Sequence, residues 1–434
     1  MVLETKLDDT SKKRSLIKYL IILLAIFIGV YGFIAESAEM AFLRLAVYVI
    51  LIYCISKGIE EKNILNPYFL FAPVPFSLLV YNVDVSKTYF LDLNSATWFF
   101  AIINMIAYLV AVNKTKKYIV KDDYFLGSSE SLATQAWLLF VLAQAAQIIP
   151  PLQSTLPLLI YPSIACALKS RNKPTIVLMY GLYFLMNMNN LQKTAVLSLL
   201  LITLVCFIKY YLDDTKINIK LVLFIALGVV VMLEMFEIKA HLSSGGSFVD
   251  YITTNTPSNS VGSYYTERGD VRWDRGENLF LPYMYITTPW TNLQFVMKTQ
   301  PESTYGLWFI KPILGWLQMD DLAGNAYELT AYSSFNTFTY LAVIFKDFGY
   351  LGSMAGSFFL GFFVKRMYNK FCHTISPLDV AVYALVAQAA VEMFFSNHFF
   401  TQSYPFTIVV LVGIYRFFMR SFVKRPNTRA VMED

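Results

Sequence analysis

The chain has 434 residues, 56% of them hydrophobic and only 15% charged, with a net charge of +5. A soluble domain carries about a quarter charged residues, and here the apolar residues fall in long unbroken blocks, so a soluble globular fold is excluded in favour of a helical membrane protein. Four cysteines without a CxxC spacing and three scattered histidines (His241, His373, His398) exclude a thiolate or histidine metal cage.

Taken in order, the apolar blocks predict twelve spans. They lie near 18–34, 41–56, 64–83, 95–112, 131–149, 156–168, 174–187, 195–211, 219–238, 350–367, 377–395 and 403–420. The first block lacks a small-residue cleavage site and reads as a membrane helix rather than a signal peptide. Three parts follow: 1–238 with nine spans, a large loop at 239–349, and 350–434 with three spans and a tail. With the N-terminus inside, the segments on that side hold 25 of the 35 Lys and Arg, whereas the short outer loops hold only Lys87 and Lys193. That asymmetry places both termini in the cytoplasm and the large loop outside. No internal repeat is present.

The large loop is too long to be a passive connector. Its first part is polar and rich in Gly, Ser and Thr. Three apolar stretches follow it. The stretch 279–297 is long, but Pro282, Pro289 and its Thr, Asn and Gln residues argue against a lipid-facing helix. The stretch 305–319 carries Trp308 and Trp316 and reads as an interfacial helix. The stretch 334–349 has an apolar core reaching only about 15 Å, half a bilayer. It reads as a re-entrant or outer-leaflet helix leading into the next span, and irregular backbone at that depth must be buried in protein or line a wet cavity.

Several residues are candidates for chemistry. TERGDVRWDRGEN at 266–278 holds Arg268, Arg272 and Arg275 with Glu267, Asp270, Asp274 and Glu277. Guanidinium groups grip phosphate bidentately, but four interleaved carboxylates equally describe a self-neutralised solvated loop. Lys193 stands at the outer end of a span, facing a cavity or snorkelling to the interface. Asp347 ends the half-span in KDFG, as a general base, the partner of an arginine, or a mark of the helix end. His398 titrates near neutrality and is a further base or an interface anchor. Arg44 lies within the second span. The Tyr and Trp cluster across 264–332, including Tyr285 and Trp290, suits sugar stacking or interfacial anchoring. P-loop, GxGxxG, GxSxG and HExxH motifs are missing, as is any nucleic-acid signature.

The segment NTFTYLAVIFKDFGYLG, from Asn336 to Gly352, resembles the oligosaccharide repeat-unit polymerase family (Wzy-type, for O-antigen and related surface polysaccharides) in its Asn336, Thr339, Asp347, Phe348, Gly349 and Gly352. YMYITTPWTNL in the preceding loop and FFSNHFF after the penultimate span fit the same pattern. The resemblance covers layout over the whole chain and residues over some fifty positions. At the helix start where family members commonly have arginine, this chain has Lys193. The resemblance implies an all-α integral membrane glycosyltransferase of GT-C-like architecture in the bacterial inner membrane. It would act by inversion, without cofactor or metal. Donor and acceptor would both be oligosaccharides on undecaprenyl pyrophosphate, with a chain-length-regulating co-polymerase as a further partner beside the membrane lipids. Arg268, Arg272, Arg275 and Lys193 would stabilise the departing pyrophosphate. Asp347, or else His398 or Glu267, would take the acceptor proton. Asn336, Tyr285 and Trp290 would help seat the glycans. An O-antigen ligase and a polysaccharide transporter or flippase are the alternatives; a transporter would be expected to show paired repeats.

Overall fold

The computed structural model describes residues 38–81, 93–116, 128–145, 156–187, 193–212, 277–300, 303–324, 337–396, 399 and 404–419. The expected spans at 18–34 and 219–238 lie outside the described residues. Among the described residues every regular element is helical. Among the described residues three helices are long and apolar enough to cross a membrane: Glu39–Glu61, Ser95–Lys114 and Pro377–Phe394.

Helix α1 (Ala38–Glu61) turns Leu43, Val47, Ile50 and Cys54 inward, at helical spacing, and leaves Phe42, Leu45 and Val49 exposed. An apolar residue on the outer face of an apolar helix is matched to lipid, not to water. After α1, Asn66 accepts hydrogen bonds from the N–H groups of Tyr68 (2.9 Å) and Phe69 (3.0 Å) and so caps α2 (Pro67–Phe71). The span expected over 64–83 is not one helix. Pro73 has no N–H to continue the ladder, and α3 (Pro73–Val80) starts afresh there. Helix α4 (Ser95–Lys114) begins at Asn94, whose side chain accepts from Thr97 N at 2.9 Å. Helices α5 (Ser129–Ala145), α6 (Ile160–Ser170), α7 (Lys173–Asn187) and α8 (Lys193–Tyr211) follow.

Beyond the long polar stretch come α9 (Glu277–Thr299) and the short α10 (Lys311–Trp316). The interfacial helix expected over 305–319 is therefore much reduced. Tyr305 and Gly306 both adopt positive φ, so the chain turns before α10 can start. Helix α11 runs from Tyr340 to His373 and breaks its geometry at Gly349, where φ is 63° and ψ is −159°. The helical piece before this kink is 340–348, starting six residues later than the apolar pattern indicated. Helices α12 (Pro377–Val391) and α13 (Tyr404–Met419) complete the described chain.

Two packings hold this bundle together. The first joins α4 and α11. Ser353, Ser357 and Gly361 recur every fourth residue on the buried face of α11. A β-carbon at Gly361 would sit 2.3 Å from the Tyr108 carbonyl oxygen, and Ser357 Oγ donates to Asn104 Oδ1 at 2.9 Å. Lipid tails are as apolar as leucine, so helices in a membrane associate through such close approach and interhelical hydrogen bonds. The opposite face of α11 exposes Leu351 and Phe359. The second packing centres on α12, which is apolar on all sides and buried along nearly its whole length among α2, α6, α8, α11 and α13.

One end of the bundle gathers the basic connecting segments. Lys365 pairs with Glu61 (2.6 Å) and Lys370 with Asp379 (2.6 Å). Lys169 donates to Ile375 O (2.9 Å), Lys209 to Phe371 O (2.7 Å), Arg171 to Tyr210 O (3.2 Å), and Asn369 to Lys116 O (3.1 Å). Five of the segments that the charge pattern assigns to one side thus meet at one end. The opposite end holds the termini of α3, α9 and α12, the start of α4, and the half-helix.

Candidate functional site

The opposite end is built on α9. Its polar residues Thr287, Thr288, Thr291, Asn292 and Gln294 are all buried, as the stretch's composition required of a helix that does not face lipid. Gln294 Oε1 accepts from Asn94 N (2.6 Å), Trp290 Nε1 donates to Ser77 Oγ (3.0 Å), and Thr291 Oγ1 donates to Tyr81 OH (3.3 Å). Asn292 Nδ2 donates to Thr337 O at 2.6 Å. Helix α9 is thereby pinned to α3, to the start of α4 and to the chain entering α11. Trp290 is fully buried with its N–H engaged, so it braces this joint and presents no stacking face.

Against this frame lies the half-helix 340–348. At 1.5 Å per residue it covers about 13 Å and cannot cross a bilayer. Residues 340 to 347 are all buried. Gly349 ends it in a left-handed conformation that favours glycine. Around the kink Phe100, Phe345 and Tyr350 meet edge to face, with centroids 4.9 to 5.5 Å apart.

Asp347, fully buried, stands two residues before the kink and grips the 303–309 turn. Its Oδ1 accepts from Thr304 Oγ1 and, at 3.4 Å, from Trp308 N. Its carbonyl oxygen accepts from Ser303 Oγ at 2.6 Å. Gly306 passes beside Phe348 with φ 92°, and an added β-carbon would come within 3.2 Å of that ring. Asp347 Oδ2, in contrast, is buried and meets no hydrogen-bond partner among the described residues. Burial pushes the Asp347 carboxyl above the usual carboxylate range. The Thr304 hydroxyl and the N–H groups of Trp308, Gly306 and Phe309 act in the opposite direction. One oxygen anchored and one bare, on a carboxyl made more basic by burial, is a geometry that accepts a proton from a hydroxyl placed at Oδ2.

Trp308 is the second element of the site. It is 2% exposed, and its indole N–H meets no acceptor among the described residues. The ring packs edge to face on Phe338 at 6.5 Å. The ammonium groups of Lys311 and Lys346 lie 4.2 and 5.7 Å from its centre. Trp308 is thus packed within the protein beside Asp347.

Of the residues expected from sequence, the structure brings Asp347 and Trp290 to the same end of the bundle. Lys193 begins α8 and Tyr285 lies on α9, with side chains outside the described residues. Arg268, Arg272, Arg275, Glu267, Asn336 and His398 also lie outside them. Arg44 is half-buried on α1.

Thr304, Ser303 and Glu392 are polar partners that sequence reading missed. The signal for the first two was a Ser-Thr pair just before Gly306. Glu392 is 1% exposed at the end of α12, accepts from Gln388 Nε2 at 3.1 Å, and connects through Gln388 to the Tyr161 hydroxyl. Its signal was a lone acid inside an apolar block. Among the described residues no group of three or more His, Cys, Asp or Glu side chains is arranged to hold a metal ion. No family model, no curated protein and no solved structure matches the chain.

Proposed function

We propose that this chain polymerises lipid-linked oligosaccharide repeat units at the outer face of a bacterial inner membrane, with Asp347 as the general base. In this reading the chain crosses the membrane twelve times, has both termini in the cytoplasm and has the GT-C-like plan. The observation that carries it is the divided carboxylate of Asp347, with Oδ1 fixed and Oδ2 bare and buried.

The step balances without a cofactor. The acceptor sugar hydroxyl gives its proton to Asp347 Oδ2 as its oxygen bonds to the anomeric carbon of the donor. The bond from that carbon to the pyrophosphate oxygen breaks, and the electron pair leaves with the pyrophosphate. Attack opposite the leaving group inverts the anomeric centre. A carboxyl whose pKa burial has raised holds that proton more strongly than a solvated one. Arg268, Arg272, Arg275 and Lys193 remain the proposed contacts to pyrophosphate, His398 and Glu267 the alternative bases, and Asn336 and Tyr285 contacts to glycan. A chain-length-regulating co-polymerase is the proposed protein partner.

The test is a deletion in the organism that encodes the chain, followed by electrophoresis of its surface glycan. The expected outcome is a single repeat unit in place of the ladder of chain lengths. A complete loss of attached glycan would instead indicate a ligase or a flippase.

A further inference from the structure

We infer that Tyr305 is a glycan-binding residue, whose exposed ring stacks on a sugar of the repeat unit beside Asp347. That the ligand is a glycan rests on the polymerase reading; that Tyr305 serves a ligand rests on its backbone, its exposure and its neighbours. Tyr305 has a φ of 51°, in the left-handed region that costs a non-glycine residue free energy. Lys62, Arg171, Gln300 and Gln318 also combine a side chain with a positive φ. Each of those follows the end of a helix, where a left-handed residue commonly closes off the last carbonyls. Tyr305 does not, since α9 ends at Thr299. Its side chain is 87% exposed, so it returns little burial for the strained backbone. Glycine would suit this turn better on the first count and lose little on the second. A costly conformation kept without a packing reason points to use by a ligand.

The neighbours place that use. On one side Thr304 Oγ1 donates to Asp347 Oδ1, and Ser303 Oγ donates to the Asp347 carbonyl at 2.6 Å. Ser303 Oγ also accepts from the Tyr305 N–H at 3.4 Å. On the other side Gly306 lies against the ring of Phe348, which would come within 3.2 Å of an added β-carbon. Phe348 is itself 45% exposed. Tyr305 is thus set between one residue that touches the proposed base and one that touches the residue after it. Consecutive Cα atoms are about 3.8 Å apart, so the ring is attached one residue from the hydroxyl that fixes Oδ1. The carbon-bound hydrogens of a sugar ring present an apolar face. An exposed aromatic ring covers that face and leaves the sugar hydroxyls in water, and the tyrosine hydroxyl stays solvated as well.

The experiment measures binding of the free repeat-unit oligosaccharide, released from its lipid by mild acid, to the purified full-length protein in nanodiscs. Wild type is compared with Tyr305→Phe, Tyr305→Leu, Tyr305→Ala and Tyr305→Gly, and thermal unfolding is followed for each. Tyr305→Phe keeps the ring and is expected to bind within a few-fold of wild type. The Leu, Ala and Gly variants are expected to bind at least about tenfold more weakly. Tyr305→Ala is expected to melt with the wild type, because the ring buries little, and Tyr305→Gly no lower than Tyr305→Ala, because glycine relieves the backbone. Wild-type affinity in Tyr305→Ala overturns the inference, and it is the result that an interfacial anchor, the other use of an exposed tyrosine, would give. Wild-type affinity in Tyr305→Leu overturns it by assigning the contact to bulk alone. A loss in Tyr305→Phe as large as in Tyr305→Ala overturns it by assigning the contact to the hydroxyl. Weak binding that tracks a lower melting temperature overturns it, because the ring would then hold the turn, and so does failure of the wild type to bind. The polymerase reading is judged separately in cells. If binding depends on the Tyr305 ring but Asp347→Asn still makes a full glycan ladder, the glycan site stands and the polymerase fails. If Asp347→Asn abolishes the ladder while Tyr305→Ala binds normally, the polymerase stands and this site fails.

Discussion

Asp347 divides its two carboxylate oxygens between two tasks. Oδ1 holds the 303–309 turn through Thr304 and Trp308, and Oδ2, without a hydrogen-bond partner among the described residues, is the atom proposed to take the acceptor proton. The division makes a signed prediction about pH. A hydrogen bond to the charged carboxylate lowers its pKa, and burial raises it. Polymerising activity should therefore fall on the acid side as Asp347 protonates, with the midpoint above the ordinary carboxylate range. Thr304→Val removes a bond that favours the ionised form, so the acid limb should move to higher pH, and Thr304→Ser should restore it. A limb that stays in place in Thr304→Val would show that Asp347 does not set it. Asp347 stood out in the sequence because an acid near the end of an apolar run, here one residue beyond it, has few inexpensive places to go. Its partner Thr304 did not, because 43 residues separate them and only the fold brings them together.

At the scale of elements, α11 does two jobs joined at Gly349. Before the kink it is a short buried helix that carries Asp347; after it, a long helix with one face on α4 and one face exposed. The apolar pattern told the two pieces apart by length, since about 15 Å cannot span a bilayer. The pattern did not fix where the helix starts, because Phe338 and Thr339, ahead of the helix, are buried too and hydrophobicity marks burial rather than backbone geometry. The Ser353, Ser357 and Gly361 strip predicts that added volume will be poorly tolerated. Gly361→Val should destabilise the protein by about 1–3 kcal/mol through overpacking against the Tyr108 carbonyl. Gly413→Val on α13, where nothing lies within 4 Å of the added β-carbon, should cost far less. Thermal unfolding in detergent compares them, and equal melting temperatures would contradict this account of the interface.

The whole molecule has two chemically different ends. Basic segments interlock at one through Lys365–Glu61, Lys370–Asp379 and several lysine-to-carbonyl contacts. At the other, buried Thr, Asn and Gln side chains of α9 tie that helix to α3, to the start of α4 and to the chain entering α11. Charge counting anticipated this grouping because Lys and Arg follow the orientation of the chain during insertion. It did not anticipate that Pro73 would divide one apolar block into two helices, because block length ignores a missing N–H. Orientation is testable with single cysteines placed in a cysteine-free background. Lys116→Cys should react with an impermeant maleimide only after the inner membrane is opened, and Tyr305→Cys, 87% exposed at the other end, in intact spheroplasts. The reverse pattern would put the site on the wrong face for a lipid-linked glycan polymerase.

The most direct measurement supplies purified protein in nanodiscs with a lipid-linked repeat unit and follows product length over time. The wild type should build a ladder of glycans. Asp347→Asn keeps an oxygen acceptor for Thr304 but loses the base, and it should be slower by about 10² to 10⁴-fold. A ladder formed by Asp347→Asn at the wild-type rate would contradict the account.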